Sequence, residues 1–140
     1  MKLQFNFFCR DIEAQLRFYR ELLGLAEAVY TRSPVYRALH TVDFQIGFHA
    51  PAAYAMLGLP ARAGDGAAAP DGYPSLMLES AAAVDAVAAR VAALGGSVIK
   101  GPFATCYGQW QAVIRDPEGH MFRISSDELP EGVAAPAGPY

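Results

Sequence analysis

Few side chains in this 140-residue chain unite reactivity with a position where it could be used. His49 and Glu79 form a histidine–carboxylate set, the chemistry of a general base or of two metal ligands, but two ligands are too few for a metal site. Arg123 carries a permanent charge and no lone pair, so it pairs with an acid or meets a ligand anion. Glu79 is the expected internal partner, because an unpaired buried guanidinium costs several kcal/mol, on the order of the effective penalty per ion. Cys9 and Cys106 lack the basic neighbours that mark a low-pKa thiol, and Cys9 reads as core. Two cysteines make neither a disulfide framework nor a zinc knuckle. His40 and His120 read as structural. The chain contains no GxSxG elbow and no phosphate-binding glycine loop; Gly58, Gly64, Gly66 and Gly72 are scattered linker glycines.

These residues must be positioned by elements that repeat. Leu3–Cys9 alternates as a strand; Asp11 is the N-cap of a helix whose apolar stripe is Ile12, Leu16, Tyr19 and Leu23, and Gly24 stops it. The same order returns at Ser75–Glu79 (strand), Ser80 (N-cap), Val84, Val87, Val91 and Leu94 (stripe) and Gly95 (stop). Strands over 28–32, 35–41 and 43–50 follow the first helix; strands over 97–105, 108–115 and 120–126 follow the second. Asp116-Pro117-Glu118-Gly119 fits a type I turn. The spacing therefore predicts an α+β chain of two βαβββ modules, residues 1–50 and 73–126. Residues 51–72 are expected as a linker or mobile loop with a short helix over 53–59, and 127–140 as a C-terminal tail.

Strand alternation sorts the faces. Leu3, Phe5, Phe7 and Cys9 oppose Gln4, Asn6 and Phe8; Phe44, Ile46 and Phe48 oppose Asp43, Gln45, Gly47 and His49. Leu76 and Leu78 oppose Ser75, Met77 and Glu79; Phe122 and Ile124 oppose Met121, Arg123 and Ser125. The apolar sides pack under the helices. The other sides mix polar groups with Phe8, Met77 and Met121, which a wholly wet face would gain nothing from, so they suit a ligand cleft. For Tyr107, Phe103 and Trp110, lining such a cleft and packing in the core stay equally open, and alternation does not choose for Trp110.

The segments Arg10-Asp11-Ile12, Phe18-Tyr19-Arg20-Glu21-Leu22-Leu23-Gly24-Leu25, Leu94-Gly95-Gly96 and Arg115-Asp116-Pro117-Glu118-Gly119-His120-Met121-Phe122 resemble the vicinal oxygen chelate superfamily, which holds glyoxalase I, bleomycin-resistance proteins and extradiol dioxygenases. The resemblance spans roughly residues 3–126. It implies a glyoxalase-like U-shaped mixed sheet with the helices on its outer face, commonly a homodimer. It also implies metal-ligand positions on the first, fourth, fifth and last strands. These fall on Gln4, on Gly47 (or His49 with a two-residue slip), on Ser75 and on Arg123. An arginine there repels a divalent ion, so no metal or other cofactor is expected.

The resulting expectation is a metal-free protein of the bleomycin-resistance type. It binds a small organic ligand through Gln4, Asn6, Phe8, His49, Ser75, Met77, Glu79, Trp110 and Arg123. The alternative is a metal-dependent lyase, isomerase or dioxygenase with Gln4, His49 and Glu79 as ligands. A third class is a metal-free enzyme with Glu79 as base and Arg123 as electrophile. The net charge of −3 excludes a general nucleic-acid binder and suits a cationic or amphiphilic ligand. No apolar run approaches the ~18 residues of a membrane span. With no signal peptide read at the N-terminus, a cytoplasmic location is expected.

Overall fold

In the computed structural model, which describes residues 3–60 and 72–138, the alternating opening segment forms β1 (Leu3–Phe8). Asp11 caps α1 (Ile12–Leu23): its Oδ1 accepts from the backbone N–H groups of Glu13 at 3.1 Å and Ala14 at 2.9 Å. Such a cap stabilises a helix by about 1 kcal/mol, because these donors have no partner within the helix. Gly24 ends α1 in the left-handed conformation, φ 67°, where a side chain would be strained. Next come β2 (Ala26–Glu27), β3 (Tyr36–His40) and β4 (Phe44–His49). A short helix, α2 (Ala53–Met56), lies inside the stretch expected to be helical.

The strand expected over 28–32 does not form. Val29–Thr31 make one 3-10 turn instead. The Ala28 carbonyl accepts both the backbone N–H (2.9 Å) and the hydroxyl (2.7 Å) of Thr31. Arg32 then folds back on Glu27, Nε to Oε1 2.6 Å. Local side-chain bonds of this kind compete with a strand ladder.

The second module repeats the order. β5 (Ser75–Met77) precedes α3 (Ala81–Arg90), whose cap is Ser80, its Oγ accepting from the Ala83 N–H at 3.1 Å. After a 3-10 turn at Ala92–Leu94 and Gly95, the chain forms β6 (Ser97–Ala104), β7 (Trp110–Arg115) and β8 (Met121–Ser126). β5 stops at Met77 rather than Glu79. β7 starts at Trp110 rather than Gly108, because Thr105–Gly108 close a turn in which the Gly108 N–H donates to the Thr105 carbonyl. The Asp116–Gly119 turn forms as expected, with Asp116 Oδ1 accepting from the N–H groups of Glu118 and His120 and Oδ2 lying 2.8 Å from His120 Nδ1.

The chain divides into two compact units, residues 1–69 and 70–140, each holding one βαβββ module. Each module has a four-stranded mixed sheet, in the orders β1-β4-β3-β2 and β5-β8-β7-β6. The β1/β4 and β5/β8 pairs are parallel and the others antiparallel. Half of the linker expected over 51–72, residues 61–71 with Gly64 and Gly66, lies outside the described residues. Under α1, the Phe7 and Tyr19 rings stack at 5.6 Å and Tyr19 meets Phe48 at 5.3 Å. Under α3, Val84, Val91, Ile114, Phe122 and Ile124 are fully buried. Each such side chain contributes about 1.5–3 kcal/mol of burial. Cys9 is buried too. No helix among the described residues is long and apolar enough to cross a membrane.

Candidate functional site

Strand register turns the polar face of the first sheet into three rows. Gln4, Gln45 and His40 lie side by side; then Asn6, Gly47 and Ala38; then Phe8, His49 and Tyr36. The middle row holds the two small residues, and that decides the geometry. Tyr36 leans across them from the third row. Its hydroxyl donates to Asn6 Oδ1 at 3.0 Å and accepts from Gln45 Nε2 at 2.9 Å. A Cβ on Gly47 would lie 2.0 Å from Asn6 Oδ1 and 2.2 Å from the Tyr36 hydroxyl. A side chain at 47 would therefore push the ends of Asn6 and Tyr36 aside.

The Tyr36 hydroxyl sits in a cleft of about 530 Å³ walled by Gln4, Asn6, Tyr36, Gln45 and His49, with Tyr30 and Thr31 of the 3-10 turn completing it. The Tyr36 and His49 rings are 4.6 Å apart. His49 Nδ1 is buried with no hydrogen-bond partner. Burial pushes the His49 pKa below its ordinary value, so the imidazole stays neutral at neutral pH. Phe8 is stacked on Tyr54 of α2 at 3.9 Å, which gives it a packing role beside the cleft.

The open face of the second sheet is built differently. Ser75, Arg123, Val113 and Lys100 form one row, and Met77, Ser125, Gln111 and Phe103 the next. Arg123 donates from Nε to Ser75 Oγ at 2.9 Å and from Nη1 to the Tyr107 hydroxyl at 3.3 Å. Tyr107 in turn donates to Gln111 Oε1 at 3.0 Å. The Tyr73 ring lies 5.7 Å from the guanidinium carbon.

Several expectations need correcting. Arg123 takes two hydroxyls and not Glu79, which lies two residues past the end of β5, where the chain turns into the Ser80 cap. The expected internal Glu79–Arg123 ion pair therefore does not form. Trp110 is not on the open face. It shares the helix side of β7 with Ala112 and Ile114, and its Nε1 donates to Asp85 Oδ1 of α3 at 2.7 Å. Gln4 pairs with Gln45 and His49 with Phe8, four residues further along the ladder. That is about 13 Å of strand between their backbones.

At the positions where the resemblance expects metal ligands, the donor chemistry is poor. Gln4 lies beside another amide, and Ser75 lies beside the cation that already donates to its hydroxyl. These residues do not fit a divalent metal. Tyr36 and Tyr73 were missed from sequence. For Tyr36 the signal was present, since it alternates in step with Ala38 and His40, but the pairing of β3 with β4 was needed to read it.

A family model described as the glyoxalase/bleomycin resistance protein/dioxygenase superfamily matches residues 3–124. Among solved structures, the chain is similar to a glyoxalase/bleomycin resistance protein/dioxygenase family enzyme from Burkholderia phytofirmans PsJN. That likeness has a TM-score of 0.79 and 34% identity, over 88% of this chain and 95% of that one. A glyoxalase-related enzyme from Fulvimarina pelagi gives 0.70 and 20%, over 90% and 87%. Lactoylglutathione lyase from Agrobacterium tumefaciens gives 0.65 and 20%, over 90% and 92%. The last two share the fold. No curated protein matches the chain.

Proposed function

Because the chain belongs to the glyoxalase/bleomycin resistance protein/dioxygenase superfamily, we propose that it binds a small, uncharged polar organic molecule, without a metal, in the cleft of its first unit. The observation that carries this reading is the Tyr36 hydroxyl, held above Gly47 by Asn6 and Gln45. A phenol fixed from both sides, with its one proton given to Asn6, is a preorganised acceptor, and side chains ordered before binding add no ordering cost. Around it stand amides, two hydroxyls and a neutral imidazole, with no Asp, Glu, Lys or Arg among the described residues of the wall. Such a lining orients a ligand by hydrogen bonds and offers little to an ion.

A thermal-shift screen of uncharged amides and heterocycles tests this, using EDTA-dialysed protein purified without a metal-affinity tag. Compounds that bind the folded state raise its Tm. Hits should be retained without metal and lost in Gly47→Ala, whose new methyl displaces the ends of Asn6 and Tyr36 while leaving the backbone in place. Stoichiometric Zn, Ni, Fe or Mn in the undialysed protein, or hits that survive in Gly47→Ala, would sink the reading.

A further inference from the structure

We infer that the open face of the second sheet carries a receptor for an aromatic carboxylate, centred on Arg123. The argument uses the second unit alone and does not depend on the cleft of the first. Arg123 is half-buried, and two of its five N–H donors are taken, by Ser75 Oγ and by the Tyr107 hydroxyl. Both acceptors are uncharged. No carboxylate among the described residues pairs with the guanidinium, and no strand position on this face is Asp or Glu. The two contacts fix the plane of the fork and leave three N–H groups, one on Nη1 and two on Nη2, for a further acceptor. A fork fixed in this way matches the two oxygens of a carboxylate, and such charge-assisted pairs are about twice as strong as neutral ones.

The surroundings select what the carboxylate is attached to. Tyr73, Met77 and Tyr107 are 47%, 50% and 60% exposed, an unusual amount of apolar surface to leave beside a cation. Tyr73 already stands 5.7 Å from the guanidinium carbon. An aromatic ring bonded to the carboxylate gains contact with these side chains, which acetate or an inorganic anion does not. The second cation of the row, Lys100, lies over the Phe103 ring at 4.1 Å and adds to the positive field. The local sign is thus opposite to that of the whole chain, whose net charge of −3 pointed toward a cationic ligand.

Benzoate, benzamide, acetate and inorganic phosphate are the probes, titrated at constant ionic strength into the isotope-labelled full chain and followed by NMR. Benzoate should bind at least about 10-fold more tightly than benzamide, which lacks the charge, and more tightly than acetate or phosphate. Arg123→Lys, which keeps the charge but not the fork, should weaken benzoate by about 10-fold. Arg123→Gln should abolish binding while leaving the spectrum of the folded chain in place. Gly47→Ala should bind benzoate as the parent does, which separates this receptor from the first-unit cleft. The inference is overturned by benzamide equal to benzoate, by phosphate equal to benzoate, by Arg123→Lys equal to the parent, or by loss of benzoate binding in Gly47→Ala.

Discussion

Each sheet places a tyrosine hydroxyl between two polar side chains, and the pairs differ in kind. In the first sheet, Tyr36 joins two amides, Asn6 and Gln45. In the second, Tyr107 joins an amide, Gln111, to a guanidinium. The helix sides, by contrast, are alike: both are closed by buried aromatic and branched side chains, with Phe48 and Phe122 each fully buried. The repeat thus holds its packing constant and varies its open faces. One face became neutral and concave. The other kept a cation and a rim of exposed aromatics.

The strongest test of the shared half is a pair of cavity substitutions. Phe48→Ala and Phe122→Ala should each destabilise the chain by about 3–5 kcal/mol, read by chemical denaturation. A large difference between them would show that the two helix sides are not equivalent.

The tyrosines test the divergent half and should give a smaller effect. Tyr36→Phe leaves Asn6 and Gln45 without the shared hydroxyl and should cost about 1 kcal/mol. Tyr107 is 60% exposed, so water replaces its hydroxyl, and Tyr107→Phe should stay within about 0.5 kcal/mol of the parent. Equal costs would remove the contrast between a preorganised hub and a solvated one.

The smallest effect is in pH. His49 titrates in the folded chain below its ordinary value because burial penalises the charged ring. Between that lowered value and about 6.5 the unfolded chain binds the extra proton. This contribution is complete above about pH 6.5 and is lost as pH falls through the folded value. His49→Gln should flatten that part of the stability profile, while Arg123→Gln should leave it unchanged, since arginine does not titrate there. A profile unaltered by His49→Gln would rule out the buried neutral imidazole.

The sequence was a good guide to whatever depends on period two or on a local cap. Asp11, Ser80 and Gly24 mark their helix ends where expected, whereas α3 stops at Arg90 and Gly95 closes the 3-10 turn that follows; the faces of β1, β4, β5 and β8 follow from alternation. It was a poor guide where an outcome depends on pairing between strands. Which residue stands beside Gln4, and that Tyr36 reaches over Gly47, are properties of the ladder. Glu79 was misread because alternation says nothing about where a strand stops. Trp110 was misread because alternation alone does not choose its face, which is settled by its ladder partners and by its bond to Asp85 of α3.

Gly24, Gly95 and Gly119 hold positive φ, a backbone that alanine tolerates poorly. Gly47 does not, so any residue could adopt its backbone, and it is kept open by its neighbours' side chains alone. A chain diverging from this one could therefore close its first cleft by a single substitution and still fold. The binding identity of that unit then hangs on a residue with no functional group, one that a search for reactive side chains passes over.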